Sequence, residues 1–190
     1  MNSTVSLPEI EEDEMPARPE LRVFDEPTQR EKFRTRQKLP TLKRILLADD
    51  DNAVCEMLRR VLEFEHYEVT IAKTGAEAAA RFATGHPDLV LLDLNMPGLD
   101  GWKAFSMMAK RDPMVPVIVI TARPGQYATA VQLGIDALME KPLDFILLLA
   151  AVEELLGETE LERTRRLTDP EFKTKYLNPP SRGHSIRDLL

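Results

Sequence analysis

Residues 88–101 read Asp88-Leu89-Val90-Leu91-Leu92-Asp93-Leu94-Asn95-Met96-Pro97-Gly98-Leu99-Asp100-Gly101. A short apolar run ends in a carboxylate, and a Pro-Gly turn follows. A run that is apolar at successive positions would be buried on both faces, as in a strand covered by helices on both sides. Asp100 can then cap a helix carrying Trp102, Phe105 and Met108, which must stop near Asp112 because Pro113 follows. The stretch therefore reads as one strand–loop–helix unit.

The same unit recurs on either side. Strands are expected at 44–48, 67–72, 88–92, 115–120 and 137–139. Val54, Met57, Leu58, Val61 and Leu62 follow helical spacing after the first strand, while Glu56, Arg59, Arg60 and Glu63 face outward. Thr74-x-x-Glu77 reads as a capping box for the next helix, which closes at Gly85. A fourth helix is expected around 126–133, and Asp144 can cap a fifth that ends at Gly157. Five such units imply an α/β domain with a parallel sheet and right-handed crossovers. The size fits a flavodoxin-like doubly wound sheet of five strands, order 2-1-3-4-5, with five helices.

Outside residues 41–157 the pattern lapses. Residues 1–40 contain no glycine, are punctuated by Pro8, Pro16, Pro19, Pro27 and Pro40, and are poor in apolar side chains. They are expected to be a mostly disordered extension, acidic first, with a basic stretch at 27–44 that runs past its end and carries Arg30, Lys32, Arg34, Arg36, Lys38, Lys43 and Arg44. Residues 158–190 read as a tail in which 158–167 can form one more charged helix and 178–183 are coil. The formal charge is −7, from 25 Lys+Arg and 32 Asp+Glu, which disfavours nucleic acid as the main partner. A lone Cys55 excludes an internal disulfide, and no Cys/His cluster has zinc-ligand spacing. No signal peptide or membrane span is evident, so a cytoplasmic protein without membrane insertion is expected.

In this sheet class the site lies at the carboxyl ends of the strands. Those ends carry Asp49-Asp50-Asp51, Asp93, Thr121 and Glu140-Lys141-Pro142. Carboxylates converging at one sheet edge repel unless a cation or protons intervene. With oxygen ligands only, the fitting cation is Mg²⁺, which keeps several waters and takes one or two carboxylates plus a phosphate. An ammonium from Lys141 and a hydroxyl from Thr121 would serve further oxygens. These are parts of a phosphoryl-transfer site, where catalysis is mostly positioning and charge neutralisation. His66, His86 and His184 read as surface or turn residues rather than as part of this site.

The segments at 45–51, 88–101, Val119-Ile120-Thr121-Ala122 and Glu140-Lys141-Pro142-Leu143, in that order and each at a strand end, resemble the four blocks of bacterial response-regulator receiver domains. The resemblance covers residues 41–157 and implies a receiver domain there, in a phosphorelay. It implies that Asp93 is the phosphoacceptor and that Asp49, Asp50, Asp93 and the backbone carbonyl of Asn95 bind Mg²⁺. Thr121 and Lys141 would hold phosphoryl oxygens, with Lys141 usually followed by a cis Lys-Pro bond. Pro97, Gly98 and Gly101 would be turn formers. The implied partners are a sensor histidine kinase or histidine phosphotransfer protein and a downstream protein target; no direct DNA binding is expected, because residues 158–190 are too few for a typical DNA-binding output domain. The implied activity is Mg-dependent self-phosphorylation and slow autodephosphorylation rather than that of a classical enzyme. A phosphorylation-independent scaffold and a relay intermediate are the alternatives. The resemblance also implies that phosphorylation draws Thr121 and its loop inward and shifts an inactive–active equilibrium. Two departures concern that switch: the usual aromatic three residues before the lysine is Leu138, and the segment 121–134, which contains Tyr127, is about two residues short. An aspartyl phosphatase would place a second Asp two residues after the nucleophile, where Asn95 stands.

Overall fold

β3 (Leu89–Asp93) is buried at every position, as its apolar run requires. It lies at the middle of a parallel sheet with β1 (Arg44–Ala48), β2 (Glu68–Ala72), β4 (Val117–Thr121), β5 (Ala137–Glu140) and β6 (Lys175–Tyr176), in the order β2-β1-β3-β4-β5-β6. The helices are α1 (Asn52–Phe64), α2 (Gly75–Gly85), α3 (Gly101–Arg111), α4 (Tyr127–Leu133), α5 (Phe145–Gly157) and α6 (Glu160–Thr168). This computed structural model describes residues 42–169 and 171–177. The expected disordered extension, the coil at 178–183 and His184 lie outside the described residues.

Side chains alternate across each strand. Leu46, Val90, Leu92, Val119 and Leu138 pack toward Phe82, Phe105, Met108 and Ala130 of α2, α3 and α4. Ile45, Leu47, Leu89, Leu91, Ile118, Ile120 and Met139 pack toward α1 and α5. Both cores are apolar, which fixes the register: a one-residue slip of β3 would transfer Leu91 and Leu92 to opposite layers. The buried stripe of α1 is Cys55, Leu58 and Leu62, so the expected inward Met57 instead faces outward at 42% exposure. Among the described residues no helix is long and apolar enough to cross a membrane.

Helix ends follow their local chemistry. Asp51, Asp100 and Asp144 each accept backbone N–H bonds at the starts of α1, α3 and α5. Thr74 accepts from the Glu77 N–H, but the Glu77 carboxylate reaches the N–H of Lys73, one residue before the expected box partner. His66 and His86 occupy left-handed turns, with φ of 63° and 46°.

The expected five strands become six, and beside the five expected helices of the domain the charged helix expected at 158–167 is present as α6. Thr159 and Glu162 close a reciprocal capping box that starts α6. β6 is two residues long, too short to carry a periodic signal, and is held by backbone bonds to β5.

Candidate functional site

Four strand ends converge at the carboxyl edge. Asp49 directly follows β1, where its N–H donates to the Ala72 carbonyl at 3.1 Å. Asp93 is the last residue of β3 and Thr121 the last of β4. Lys141 follows β5, its N–H donating to the Thr121 carbonyl at 2.8 Å, and the Lys141-Pro142 bond is cis. Asp49, Asp93 and Thr121 are buried, whereas Asp50 is exposed. Carboxylate oxygens of Asp49, Asp50 and Asp93 all lie within 4.8 Å of one another. Asp51 is not part of this group: its Oδ1 is committed to the Ala53 and Val54 N–H groups at 2.7 and 3.2 Å.

Lys141 reaches back over this cluster. Its Nζ donates to Asp49 Oδ2 at 2.8 Å and to Asp93 Oδ2 at 3.2 Å. The remaining oxygens are also oriented: Asp49 Oδ1 accepts from the Asp51 N–H at 2.9 Å, and Asp93 Oδ1 from the Asn95 N–H at 3.1 Å. Burial pushes the Asp49 carboxyl up despite the bond from Lys141. Burial disfavours the charged form of Lys141 as well, but Asp49 and Asp93 outweigh it and push the ammonium up. The two directions agree on one point. Two of the three clustered carboxylates share one ammonium, so the site is short of positive charge. An all-oxygen donor set with one solvent-facing carboxylate suits Mg²⁺, which retains part of its hydration.

Gly98 has φ +81°, as a turn former should. Gly101 is different, and the expectation of a turn role is corrected. A Cβ on Gly101 would sit 2.7 Å from the Asp93 carbonyl oxygen and 2.7 Å from Leu94 Cα, so its missing side chain lets α3 press against the backbone of the nucleophile candidate. Alanine would favour the helix by about 1 kcal/mol, but a backbone clash of this depth costs about 1–3 kcal/mol. Gly101→Ala is expected to lower the urea midpoint; an unchanged or higher midpoint would contradict the close approach.

Three polar links were not legible in the sequence. Arg123, two residues after Thr121, bonds the Asn95 side chain through Nε and pairs with Asp100 at 3.3 Å, joining the loops after β3 and β4. The Trp102 indole N–H donates to Gln126 Oε1 at 3.2 Å, tying α3 to the same loop. Glu140 accepts from the Gly125 N–H at 3.2 Å. Cys55 donates to the Asp49 carbonyl at 3.2 Å, and burial pushes its thiol up although Lys73 lies beside it. That is the profile of an inert buried thiol.

Comparison with known proteins agrees with this geometry. The family model described as response regulator receiver domain matches residues 45–153. Response regulator MprA of Mycobacterium bovis is 36% identical over 141 residues, covering 73% of this chain and 61% of that protein. MprA of Mycobacterium ulcerans is 39% identical over 121 residues, covering 63% of this chain and 52% of that protein. This chain thus spans about half to three-fifths of the length of these relatives. A CheY-like receiver domain protein from Methanospirillum hungatei superposes with a TM-score of 0.60 at 35% identity, over 64% of this chain and 99% of that one. Response regulator TrrA from Thermotoga maritima, in complex with Mg²⁺-BeF, gives a TM-score of 0.56 at 32% identity, over 60% of this chain and 99% of that one. A matched span that contains every strand-end residue of the acidic cluster assigns this chain to the response regulator receiver domain family.

Proposed function

We infer that this chain takes a phosphoryl group from a phosphohistidine of a partner protein onto Asp93, and signals through protein contacts. The observation that carries the reading is the buried Asp93 carboxylate, held between the Lys141 ammonium and the Asn95 N–H beside two further carboxylates. A carboxylate oxygen of Asp93 forms the new O–P bond as the P–N bond of the donor breaks; the imidazole leaves with the electron pair and takes up a proton. Lys141 Nζ, released from its carboxylate bonds, pairs with one phosphoryl oxygen. The Thr121 hydroxyl, which accepts from the Arg123 N–H at 3.0 Å, keeps its hydrogen for another. Asp49, Asp50, Asp93 and the Asn95 carbonyl would hold Mg²⁺, which supplies charge neutralisation and a clamp on the phosphoryl oxygens. Mg²⁺-BeF in the TrrA relative supports that ligand chemistry here.

Incubation with Mg²⁺ and acetyl phosphate, followed by intact mass, tests the reading. One acid-stable, base-labile phosphoryl adduct is expected, and none when Mg²⁺ is chelated. No adduct from acetyl phosphate or from a phosphohistidine donor would favour the scaffold instead. The single tryptophan gives a second readout. Because Trp102 donates to Gln126 in the loop that follows Thr121, its fluorescence is expected to change when beryllofluoride and Mg²⁺ are added together. Spectra identical before and after saturation would show that the loop does not respond.

A further inference from the structure

The edge of the sheet beyond β5 is covered by the chain's own C-terminal segment. Lys175 N–H donates to the Asp136 carbonyl at 3.0 Å and Leu177 N–H to the Leu138 carbonyl at 2.7 Å. The two ends of this segment are held differently. On the α6 side, Arg166 stacks 5.2 Å from the Phe172 ring centroid and pairs with buried Asp136 and with Glu158, all remote from the phosphoryl site. The other fastenings come from the start of α4, which follows the Thr121 loop, and from the end of β5 that adjoins that site. The Tyr127 hydroxyl donates to the Thr174 carbonyl at 3.0 Å, and the Tyr127 and Tyr176 rings meet edge to face with centroids 5.4 Å apart. Glu140, next to Lys141, is hydrogen-bonded to Tyr176 and also accepts from Gly125.

We propose that residues 171–177 form a latch on the β5 edge, fastened by Tyr127 and Glu140, which opens when a phosphoryl group at Asp93 draws Thr121 and its loop inward. The proposal rests on the phosphoacceptor reading and adds its regulation. Residues 121–127 are continuous, so a pull on the Thr121 hydroxyl displaces Gly125 and Tyr127, the two points where the loop meets Glu140 and Thr174. The fastening is weak enough to yield: β6 has only two residues, and the buried Thr174 Oγ1 has no hydrogen-bond partner among the described residues, a cost that release removes. By linkage, loosening the latch must favour the occupied site by the same factor.

The test uses the full chain with Mg²⁺ and beryllofluoride as the phosphoryl stand-in. Amide exchange at Lys175 and Leu177 is followed with and without beryllofluoride, and its affinity is titrated calorimetrically in wild type, Tyr127→Phe and Lys175→Pro. The tyrosine change removes one hydroxyl; the proline change removes the N–H that pairs with Asp136, together with an exposed Lys175–Glu154 ion pair that adds little. Exchange at both amides is expected to accelerate about tenfold or more on saturation in wild type. Both variants are expected to bind beryllofluoride about two- to tenfold more tightly, the range for one lost hydrogen bond. Binding by wild type with unchanged exchange, or with variants of wild-type affinity, would overturn the latch and leave the phosphoacceptor reading standing. No binding by wild type would overturn both.

Discussion

Asp93→Asn is expected to form no phosphoryl adduct from acetyl phosphate in Mg²⁺, while retaining a cooperative unfolding transition. The amide is nearly isosteric, and its oxygen can still accept the Asn95 N–H that Asp93 Oδ1 now accepts at 3.1 Å. It cannot supply the anionic oxygen that forms the O–P bond. Neither neighbouring carboxylate is placed to replace it. Both Asp49 oxygens are engaged, by the Asp51 N–H and by Lys141, and its side chain is only 1% exposed. Asp50 is exposed, and among the described residues no hydrogen bond aims it as Asn95 and Lys141 aim Asp93. Loss of the adduct should therefore be total rather than partial. An adduct of wild-type yield on the variant would contradict the assignment.

Lys141→Ala is expected to have the second largest effect, and a different signature. The change leaves the buried Asp49 and Asp93 carboxylates without their shared ammonium. Breaking one side of a fully buried pair costs about 3–5 kcal/mol; with the Lys141 side chain 21% exposed, about 2–3 kcal/mol is expected in chelator. Mg²⁺ then becomes the main positive charge available to the cluster. It should raise the urea midpoint of the variant more than that of wild type, since a ligand that binds only the folded state stabilises it by mass action. Adduct formation should slow in the same variant, because one phosphoryl oxygen loses its partner. Equal effects of Mg²⁺ on both proteins would show that Lys141 and the cation do not share the same carboxylates.

The layered sheet was legible because its signals are local and repeated. Leu89 to Leu92 and Val117 to Ile120 are apolar at every position, and Asp51, Asp100 and Asp144 sit where helices begin. The strand-end residues were legible for a topological reason: once the sheet is parallel, Asp49, Asp93, Thr121 and Lys141 must come out at one edge. What escaped depends on distance in sequence rather than on residue type. Arg123 acts by reaching Asn95 and Asp100, and Trp102 by reaching Gln126; neither spacing is periodic. Gly101 looked like a turn residue because composition cannot distinguish a glycine needed for φ from one needed for room. β6 escaped because two residues held by backbone bonds leave no side-chain pattern to read. Its consequence was larger than its length: Tyr127, which in sequence carried no assigned contact, bonds the Thr174 carbonyl beside this strand.

The most direct measurement is the position of the phosphoryl group itself. The adduct formed from a labelled phosphohistidine donor in Mg²⁺ would be trapped by borohydride reduction and the chain mapped by peptide mass. A single modified residue at Asp93, absent when Mg²⁺ is chelated, is the predicted result. Modification at Asp49, Asp50 or a histidine, or label that never leaves the donor, would contradict it.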